Sequence, residues 1–181
     1  MTTRRDFLKT MTMASAGLAL GTGDLLGAPI SVSQRKAAAD KVKIAYVGIG
    51  NRGEQIIGDF ARTGMVEVVA LCDVDMGAPH TQKVMNMYPK AKRFRDFRQM
   101  FDKAGNDFDA VAIATPDHSH FPITMLALAS GKHVYVEKPL ARTFYEAELL
   151  MQAALKRPNL VTQVGNQGHS EANYFQFKAW M

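Results

Sequence analysis

Three glycines stand at the spacing of a phosphate-binding turn. Gly48, Gly50 and Gly53 form the pattern G-x-G-x-x-G, with Asn51 and Arg52 at the two positions before the third glycine. Such glycines permit a tight turn, a close approach of the backbone to a pyrophosphate, and close packing of a helix on a strand. Free backbone N–H groups at the start of the next helix would bind the phosphates, because the helix dipole favours negative charge there.

An acidic residue lies at the distance expected for recognition of an adenosine ribose. Asp73 stands 20 residues after Gly53, at the end of the second predicted strand. Its carboxylate can accept hydrogen bonds from the ribose hydroxyls and would repel a 2′-phosphate. No basic residue follows it in residues 73–76. The pattern therefore predicts NAD as the cofactor in preference to NADP.

Polar motifs also follow the fourth and fifth predicted strands, at the edge of the sheet where ligands bind. The first runs from Thr115 to His120, and the second is Glu137-Lys138-Pro139. An ammonium at Lys138 could orient a hydroxyl or polarise a carbonyl beside a nicotinamide; the alternative is an ordinary surface ion pair with Glu137. Asp117 could contact a ligand or cap the next helix.

No metal site is predicted. Asp117, His118 and His120 offer three potential ligands within four residues. Such neighbours at a strand-to-helix bend seldom converge on one ion, and no distant set of Cys and His completes a site.

The sixth predicted strand ends in a loop, Gly165 to Ser170, that contains two glycines and four polar side chains. This composition suggests a loop shaped for close approach to a ligand, and a plain turn is the alternative. His169 of this loop and Lys138 are the candidate catalytic residues.

Short β-branched runs alternate with helical patterns from Lys41 onward. Strands are predicted over 42–47, 66–71, 92–94, 109–114, 133–136 and 160–164, and helices over 54–62, 78–88, 96–104, 119–130 and 143–157. Parallel strands joined by single helices need crossover connections, so the sheet is expected to be parallel, doubly wound and covered by helices on both faces. This α/β fold of Rossmann type would span 41–170, with residues 171–181 beginning a further helix.

The first 39 residues have the pattern of an export signal. A basic start at Thr3–Lys9 precedes an uncharged run over 10–23 and then small residues. The paired arginines followed by Phe-Leu-Lys resemble a twin-arginine (Tat) signal. We expect cleavage between about residues 33 and 40, passage through the Tat machinery, and a periplasmic or otherwise exported location. An amphipathic helix of the mature fold is the alternative.

The composition excludes several classes of protein. A chain of 181 residues with 47% hydrophobic and 22% charged residues is ordinary for a globular protein, which excludes collagen-like and disordered chains. A single cysteine, Cys72, cannot form an intramolecular disulfide. No stretch of about 18 uncharged apolar residues is present, so no stable membrane anchor is expected.

The net charge of +5 does not indicate nucleic-acid binding. Five of the 22 basic residues and two of the 17 acidic residues lie in residues 1–39, so the rest of the chain is nearly neutral. Basic residues between Lys90 and Arg98 alternate with phenylalanines, a pattern that favours a solvated basic face with buried phenylalanine rings rather than a nucleic-acid patch. We therefore expect a small-molecule partner and no nucleic acid.

Taken in order, these motifs resemble the glucose–fructose oxidoreductase/inositol dehydrogenase family (Gfo/Idh/MocA). The resemblance covers Val42 to Ser170 and also includes Gly131-Lys132-His133-Val134. It implies a Rossmann domain followed by a larger α/β domain with an open antiparallel sheet. It further implies oxidation or reduction of a sugar, inositol or related polyol by hydride transfer with NAD(P).

The resemblance also implies roles for single residues. Lys138 would contact the reacting hydroxyl or relay its proton, and Pro139 would follow a cis peptide bond. Thr115, Pro116, His120 and Glu137 would surround the nicotinamide.

We expect the family's second domain, with its usual histidine acid/base, to be missing from these 181 residues. We therefore expect a fragment or truncated product that is inactive alone and belongs to a homo-oligomer at full length. Two alternatives stay open: an NAD-dependent, redox-neutral glycosidase, and a catalytically inactive NAD-binding remnant.

Overall fold

The computed structural model describes residues 41–169 and 172–181, so the predicted export signal and its cleavage region lie outside the described residues. The strands are β1 Val42–Val47, β2 Val66–Cys72, β3 Lys92–Phe94, β4 Ala110–Ile113, β5 His133–Glu137 and β6 Thr162–Gly165. The α-helices are α1 Arg52–Arg62, α2 Pro79–Met87, α3 Phe97–Ala104, α4 His120–Ala129, α5 Phe144–Leu155 and α6 Ala172–Trp180. Short 3-10 turns cover Gly105–Asp107, Asp117–Ser119 and Gln167–His169.

The six strands form one sheet in the order β3-β2-β1-β4-β5-β6, and every neighbouring pair is parallel. The predicted doubly wound α/β fold is therefore confirmed. The chain runs outward from β1 in one direction and then from β4 in the other. In such sheets the ends of the strands on either side of the reversal enclose a crevice, and ligands bind there.

Apolar layers cover both faces of the sheet. On one face α1 and α2 bury Ile56, Ile57 and Val84 against β1 and β2. On the other face the buried side chains come from α3, α4 and α5. Because β1 and β4 are buried on both sides, their apolar runs need no polar alternation. Among the described residues, no helix is long and apolar enough to cross a membrane.

Local capping sets the helix ends near the crevice. Asp96 accepts a hydrogen bond from Arg98 N at 2.8 Å, which confirms its predicted place as an N-cap. Gly131, with φ of 70°, ends the segment after α4 as predicted. Asp117 does not cap α4, because it lies in a 3-10 turn and Ser119 occupies the capping position.

A capping box begins α5, immediately after the segment that contains Lys138. The Thr143 hydroxyl accepts from Glu146 N at 3.1 Å, and the Glu146 carboxylate accepts from Thr143 N at 3.1 Å. The same carboxylate accepts from Arg142 N at 3.0 Å. These hydrogen bonds fix the backbone a few residues after the carboxyl end of β5.

Cys72 is a core residue, as its position in a strand predicts. It is 2% exposed at the end of β2, and burial raises the pKa of its thiol to about 12, with smaller contributions from Asp73 and Asp96. The thiol is therefore protonated at neutral pH and unreactive.

Candidate functional site

The glycine turn joins β1 to α1 and leaves no room for a side chain at Gly48 or Gly53. Gly48 has φ of 80°, and a Cβ on it would lie 2.5 Å from the carbonyl oxygen of Ala114, at the end of β4. A Cβ on Gly53 would overlap the carbonyl oxygen of Gly48. Gly53 N also donates to Gly50 O at 2.8 Å. The turn therefore folds tightly against the crevice between β1 and β4.

Asp73 is braced against this turn. Its Oδ2 accepts from Ile49 N at 2.9 Å, and its Oδ1 accepts from Asp75 N at 3.0 Å. An ionised carboxylate has about four acceptor positions, so lone pairs are left for ribose hydroxyls. The tip of β2 and the glycine turn are consequently one rigid unit.

A cavity of about 550 Å³ lies in the crevice beside the turn. It brings together seven of the cofactor-binding residues predicted from the sequence: Gly48, Gly50, Asn51, Arg52, Asp73, Thr115 and Pro116. Asn51 itself has φ of 48°, the one non-glycine residue in the described part of the chain with a positive φ.

Two basic residues that the sequence did not indicate also line this cavity, His80 and Arg95. The His80 ring, in the first turn of α2, lies so close to Gly50 that a Cβ there would overlap it. The ion pair of Lys83 with Glu54, at 2.5 Å, holds α2 to α1 and so fixes this approach.

Arg95 reaches the cavity because β3 pairs with β2. Asp73 N donates to Phe94 O at 3.1 Å, so the residue after Phe94 emerges beside Asp73. Strand order is the signal that would have placed Arg95 there, since no sequence motif links Arg95 to Asp73.

A second cavity, of about 460 Å³, adjoins the first and shares Arg52, Ala114 and Thr115 with it. Its other lining residues are Asp117, His120, Glu137, Lys138 and Gln167. The polar motifs after β4 and β5 therefore meet, as predicted from their positions at the same edge of the sheet.

The Glu137 carboxylate is the centre of a buried polar network in this second cavity. Its side chain is 6% exposed, and Oε1 accepts from Arg52 Nη2 at 3.1 Å and from Gln167 Nε2 at 2.7 Å. The Tyr135 hydroxyl donates to the same oxygen at 3.1 Å.

Opposing effects act on the pKa of Glu137. Burial raises it, but the hydrogen bonds from Arg52, Gln167 and Tyr135, with the Arg52 charge, bring it below its ordinary value. Burial and the Glu137 charge raise the pKa of Tyr135. At neutral pH the carboxylate is thus ionised and the phenol carries its proton.

Lys138 is exposed at the end of β5 and lines the second cavity. The alternative of a surface pair between Glu137 and Lys138 is wrong, because Glu137 pairs with Arg52 and no ion pair within the described residues includes Lys138. The peptide bond between Lys138 and Pro139 is cis, as the family resemblance implied.

His169 does not join Lys138 in the second cavity. Its exposed ring packs on Tyr174 of α6, with centroids 4.9 Å apart and planes inclined by 36°. Gln167 of the same loop reaches the cavity instead. The loop predicted to approach a ligand thus supplies a different side chain, and the catalytic role of His169 stays a prediction.

The lining of both cavities fits a dinucleotide. Thr115 borders both, and its buried hydroxyl has no hydrogen-bond partner among the described residues, so a polar group is available to a ligand. Gly50 lets a phosphate approach the backbone, and Asp73 retains acceptor positions. Within the described residues, no cluster of three or more His, Cys, Asp or Glu could hold a metal ion.

A comparison with protein families gives the same assignment. The model of the "Oxidoreductase family, NAD-binding Rossmann fold" (GFO_IDH_MocA) matches residues 42–165, from β1 to β6. The chain belongs to this family. Its cofactor is accordingly NAD.

Individual relatives include both glycosidases and dehydrogenases. A "Glycosyl hydrolase family 109 protein" of Shewanella pealeana is 31% identical over 83% of this chain and 36% of its own length. An "Alpha-N-acetylgalactosaminidase" of Shewanella oneidensis is 29% identical over the same shares.

Among solved structures, scyllo-inositol dehydrogenase from Lactobacillus casei, with bound NAD(H) and scyllo-inositol, is similar with a TM-score of 0.67 and 27% identity. The match covers 77% of this chain and 40% of that one. The chain therefore spans 36% of the length of the first two relatives and 40% of the dehydrogenase.

Proposed function

We propose that this chain is the cofactor-binding part of an NAD-dependent oxidoreductase that acts by hydride transfer on a sugar, inositol or related polyol. One observation carries the proposal: the cavity at the glycine turn adjoins the cavity lined by Lys138 and shares Arg52, Ala114 and Thr115 with it. A dinucleotide held at the turn would extend its nicotinamide toward Lys138. The inositol dehydrogenase with bound NAD(H) supports the same class of substrate.

Bound NAD supplies the hydride acceptor. The residues of this chain bind and orient it: the glycine turn faces the pyrophosphate, Asp73 accepts from the adenosine ribose, and Thr115 offers its hydroxyl. Lys138 Nζ contacts the substrate hydroxyl and, in its neutral amine form, accepts or relays its proton. Glu137 does not share that role, since its carboxylate is committed to Arg52, Gln167 and Tyr135.

The first test is binding of NAD+ by the chain itself, measured by isothermal titration calorimetry. We expect saturable binding with one site. Absence of binding in a folded chain would overturn the proposal. If neither this chain nor a form of the protein as long as its relatives turns over any polyol or glycoside, although NAD+ binds, the catalytically inactive remnant is favoured.

The second test distinguishes a catalytic role of Lys138 from a role in cofactor binding. It uses a form of the enzyme that is as long as its relatives. Lys138→Ala should lower kcat about 10²- to 10⁴-fold with little change in the Kd for NAD+, because the amine acts on the substrate proton. Lys156→Ala, at the exposed end of α5, is the matched control. Unchanged turnover in Lys138→Ala would remove the catalytic assignment.

The second candidate function is redox-neutral glycoside cleavage, in which NAD is regenerated at each turnover. The observation that favours it is the similarity to the glycosyl hydrolase family 109 protein and the α-N-acetylgalactosaminidase. Net NADH formation on a free sugar or polyol supports the dehydrogenase. Release of a sugar from a glycoside without net NADH supports the glycosidase.

The proposed enzyme is exported by the twin-arginine route. Its support is the order of residues in Thr3–Lys9 and the weakly apolar run that follows. Replacement of Arg4 and Arg5 by lysine should retain the protein in the cytoplasm, as judged by cell fractionation. Continued export of that variant would contradict this location.

A further inference from the structure

The His120 imidazole is enclosed between two peptide carbonyls. The residue is 1% exposed, at the start of α4. Its Nδ1 lies 2.6 Å from Pro139 O, and its Nε2 lies 2.8 Å from Thr115 O. Both ring nitrogens are therefore at hydrogen-bond distance from atoms that can only accept.

A neutral imidazole cannot satisfy this arrangement. It carries one N–H, so one carbonyl oxygen would face the lone pair of the other nitrogen at hydrogen-bond distance. An imidazolium has an N–H on each nitrogen and can donate to both oxygens. Charge-assisted bonds of this kind also have the short lengths seen here. We propose that His120 is a buried imidazolium that fastens the Lys138–Pro139 segment to the loop after β4.

The surroundings of His120 act on a positive charge in both directions. His120 is the first residue of α4, where the helix dipole opposes a positive charge, so the two carbonyl oxygens must offset that effect. A buried ion is unfavourable unless it is paired and hydrogen-bonded, and here both N–H groups have carbonyl partners. Two carboxylates, Asp117 and Glu137, line the same cavity. The cations that line it are Arg52, which pairs with Glu137, and Lys138, which is exposed.

The bridge makes His120 a positioning residue. Thr115 O belongs to the loop that borders both cavities, and Pro139 O belongs to the residue that follows Lys138. With both nitrogens engaged, the ring acts on the nicotinamide end of the site through these two loops and not by direct contact with the cofactor. This last step rests on the proposed function, whereas the protonation state of the ring does not.

The test is nuclear magnetic resonance of the whole chain, uniformly labelled with ¹³C and ¹⁵N, at pH 7 and without NAD. We expect both ring nitrogens of His120 to carry protons, each with a scalar coupling across its hydrogen bond to the carbonyl carbon of Thr115 or Pro139. A proton on only one ring nitrogen would overturn the proposal. Signals are assigned from the spectrum of His120→Gln, or by through-bond correlation from the backbone should that variant not fold.

His133 provides an internal control in the same spectrum. Its Nδ1 accepts a hydrogen bond from Val161 N at 2.9 Å, so that nitrogen must be unprotonated. The contrast between the two rings excludes a general effect of pH or exchange on the histidine signals.

The positioning role is read at Leu140, whose amide belongs to the same peptide group as Pro139 O. Its signal should shift in His120→Gln and not in His133→Gln. If the wild-type ring is doubly protonated but the Leu140 signal does not respond, the positioning role is wrong. Failure of NAD+ binding in the calorimetric test would instead remove the proposed function and leave the ring's protonation unaffected.

Discussion

Gly50 and Gly48 are neighbours in one turn but exclude a side chain for different reasons. At Gly50, an added Cβ would meet the ring of His80, an exposed side chain that can adopt another rotamer. At Gly48, it would meet the backbone of Ala114 and Thr115, and φ is 80°. Gly50 is therefore required for ligand binding, whereas Gly48 is required for the fold.

Alanine substitutions at the two glycines should separate these roles. Gly50→Ala should keep the free energy of unfolding within about 0.5 kcal/mol of wild type while weakening NAD+ binding at least about tenfold, since the methyl group occupies the path of the phosphate. Gly48→Ala should lower the free energy of unfolding by about 2 kcal/mol or more. Urea denaturation and calorimetry measure the two quantities. Strong NAD+ binding by Gly50→Ala would contradict the assignment.

Asp73→Asn tests ribose recognition. Loss of the charge weakens the hydrogen bonds to the ribose, so we expect affinity for NAD+ to fall roughly tenfold or more by calorimetry. Asp75→Asn is the matched control, because the Asp75 side chain is exposed and only its backbone N–H contacts Asp73. Equal affinity in Asp73→Asn and wild type would remove Asp73 from the site.

At the scale of elements, one carboxylate joins three segments. Glu137 ends β5, Arg52 begins α1, and Gln167 lies in the turn after β6. Gly165 packs directly against this network. A Cβ on it would lie 2.5 Å from the Tyr135 hydroxyl and 2.6 Å from Glu137 Oε1, so only glycine fits there. The edge strand β6 is therefore tied to the crevice by polar contacts as well as by the sheet.

Glu137→Gln should destabilise the fold in a pH-dependent manner. The pKa of Glu137 is lowered in the folded state, so its ionisation stabilises the fold above the unfolded-state pKa and ceases to do so as pH falls through the folded-state value. We expect the variant to lose about 1.5 kcal/mol at pH 7 and progressively less in acid, by urea denaturation. Glu67→Gln, at an exposed position of β2, should change little at either pH. A loss that is the same at neutral and acid pH would contradict an ionised Glu137.

At the scale of the whole molecule, the reversal of strand order between β1 and β4 creates the binding crevice. The residues that line it follow the ends of all six strands, with His80 added from α2, so they converge only when the sheet is complete. Cofactor binding should therefore stabilise the entire fold and not a single loop.

Thermal unfolding measures this coupling. NAD+ at about a hundred times its Kd should stabilise the chain by about 2.7 kcal/mol, which corresponds to a rise in Tm of about 5–10 °C. NADP+ at the same concentration should give a smaller rise, because the Asp73 carboxylate repels a 2′-phosphate. An equal or greater effect of NADP+ would show that Arg95 and His80, which line the same cavity, outweigh Asp73.

Much of this site was predictable because its signals are local. The glycine spacing, Asp73 at the end of the next strand and the motifs around Thr115 and Lys138 are each contained in a few consecutive residues. Parallel strands place their carboxyl ends at one edge, so the meeting of these motifs also followed from the pattern of alternating strands and helices. The partner of Glu137 did not, since Arg52 lies 85 residues earlier in the chain.

By itself, the sequence determined the order of elements, the parallel sheet and the class of cofactor. Hydrophobic periodicity and short motifs carry this information because they depend on residues that are close together in the chain. Only the tertiary structure decided which side chains share a cavity: His80 against Gly50, Arg95 beside Asp73, Gln167 in place of His169, and His120 between two carbonyls. Those contacts join residues from separate crossovers. Their distances depend on how the helices pack on the sheet, which no local pattern specifies.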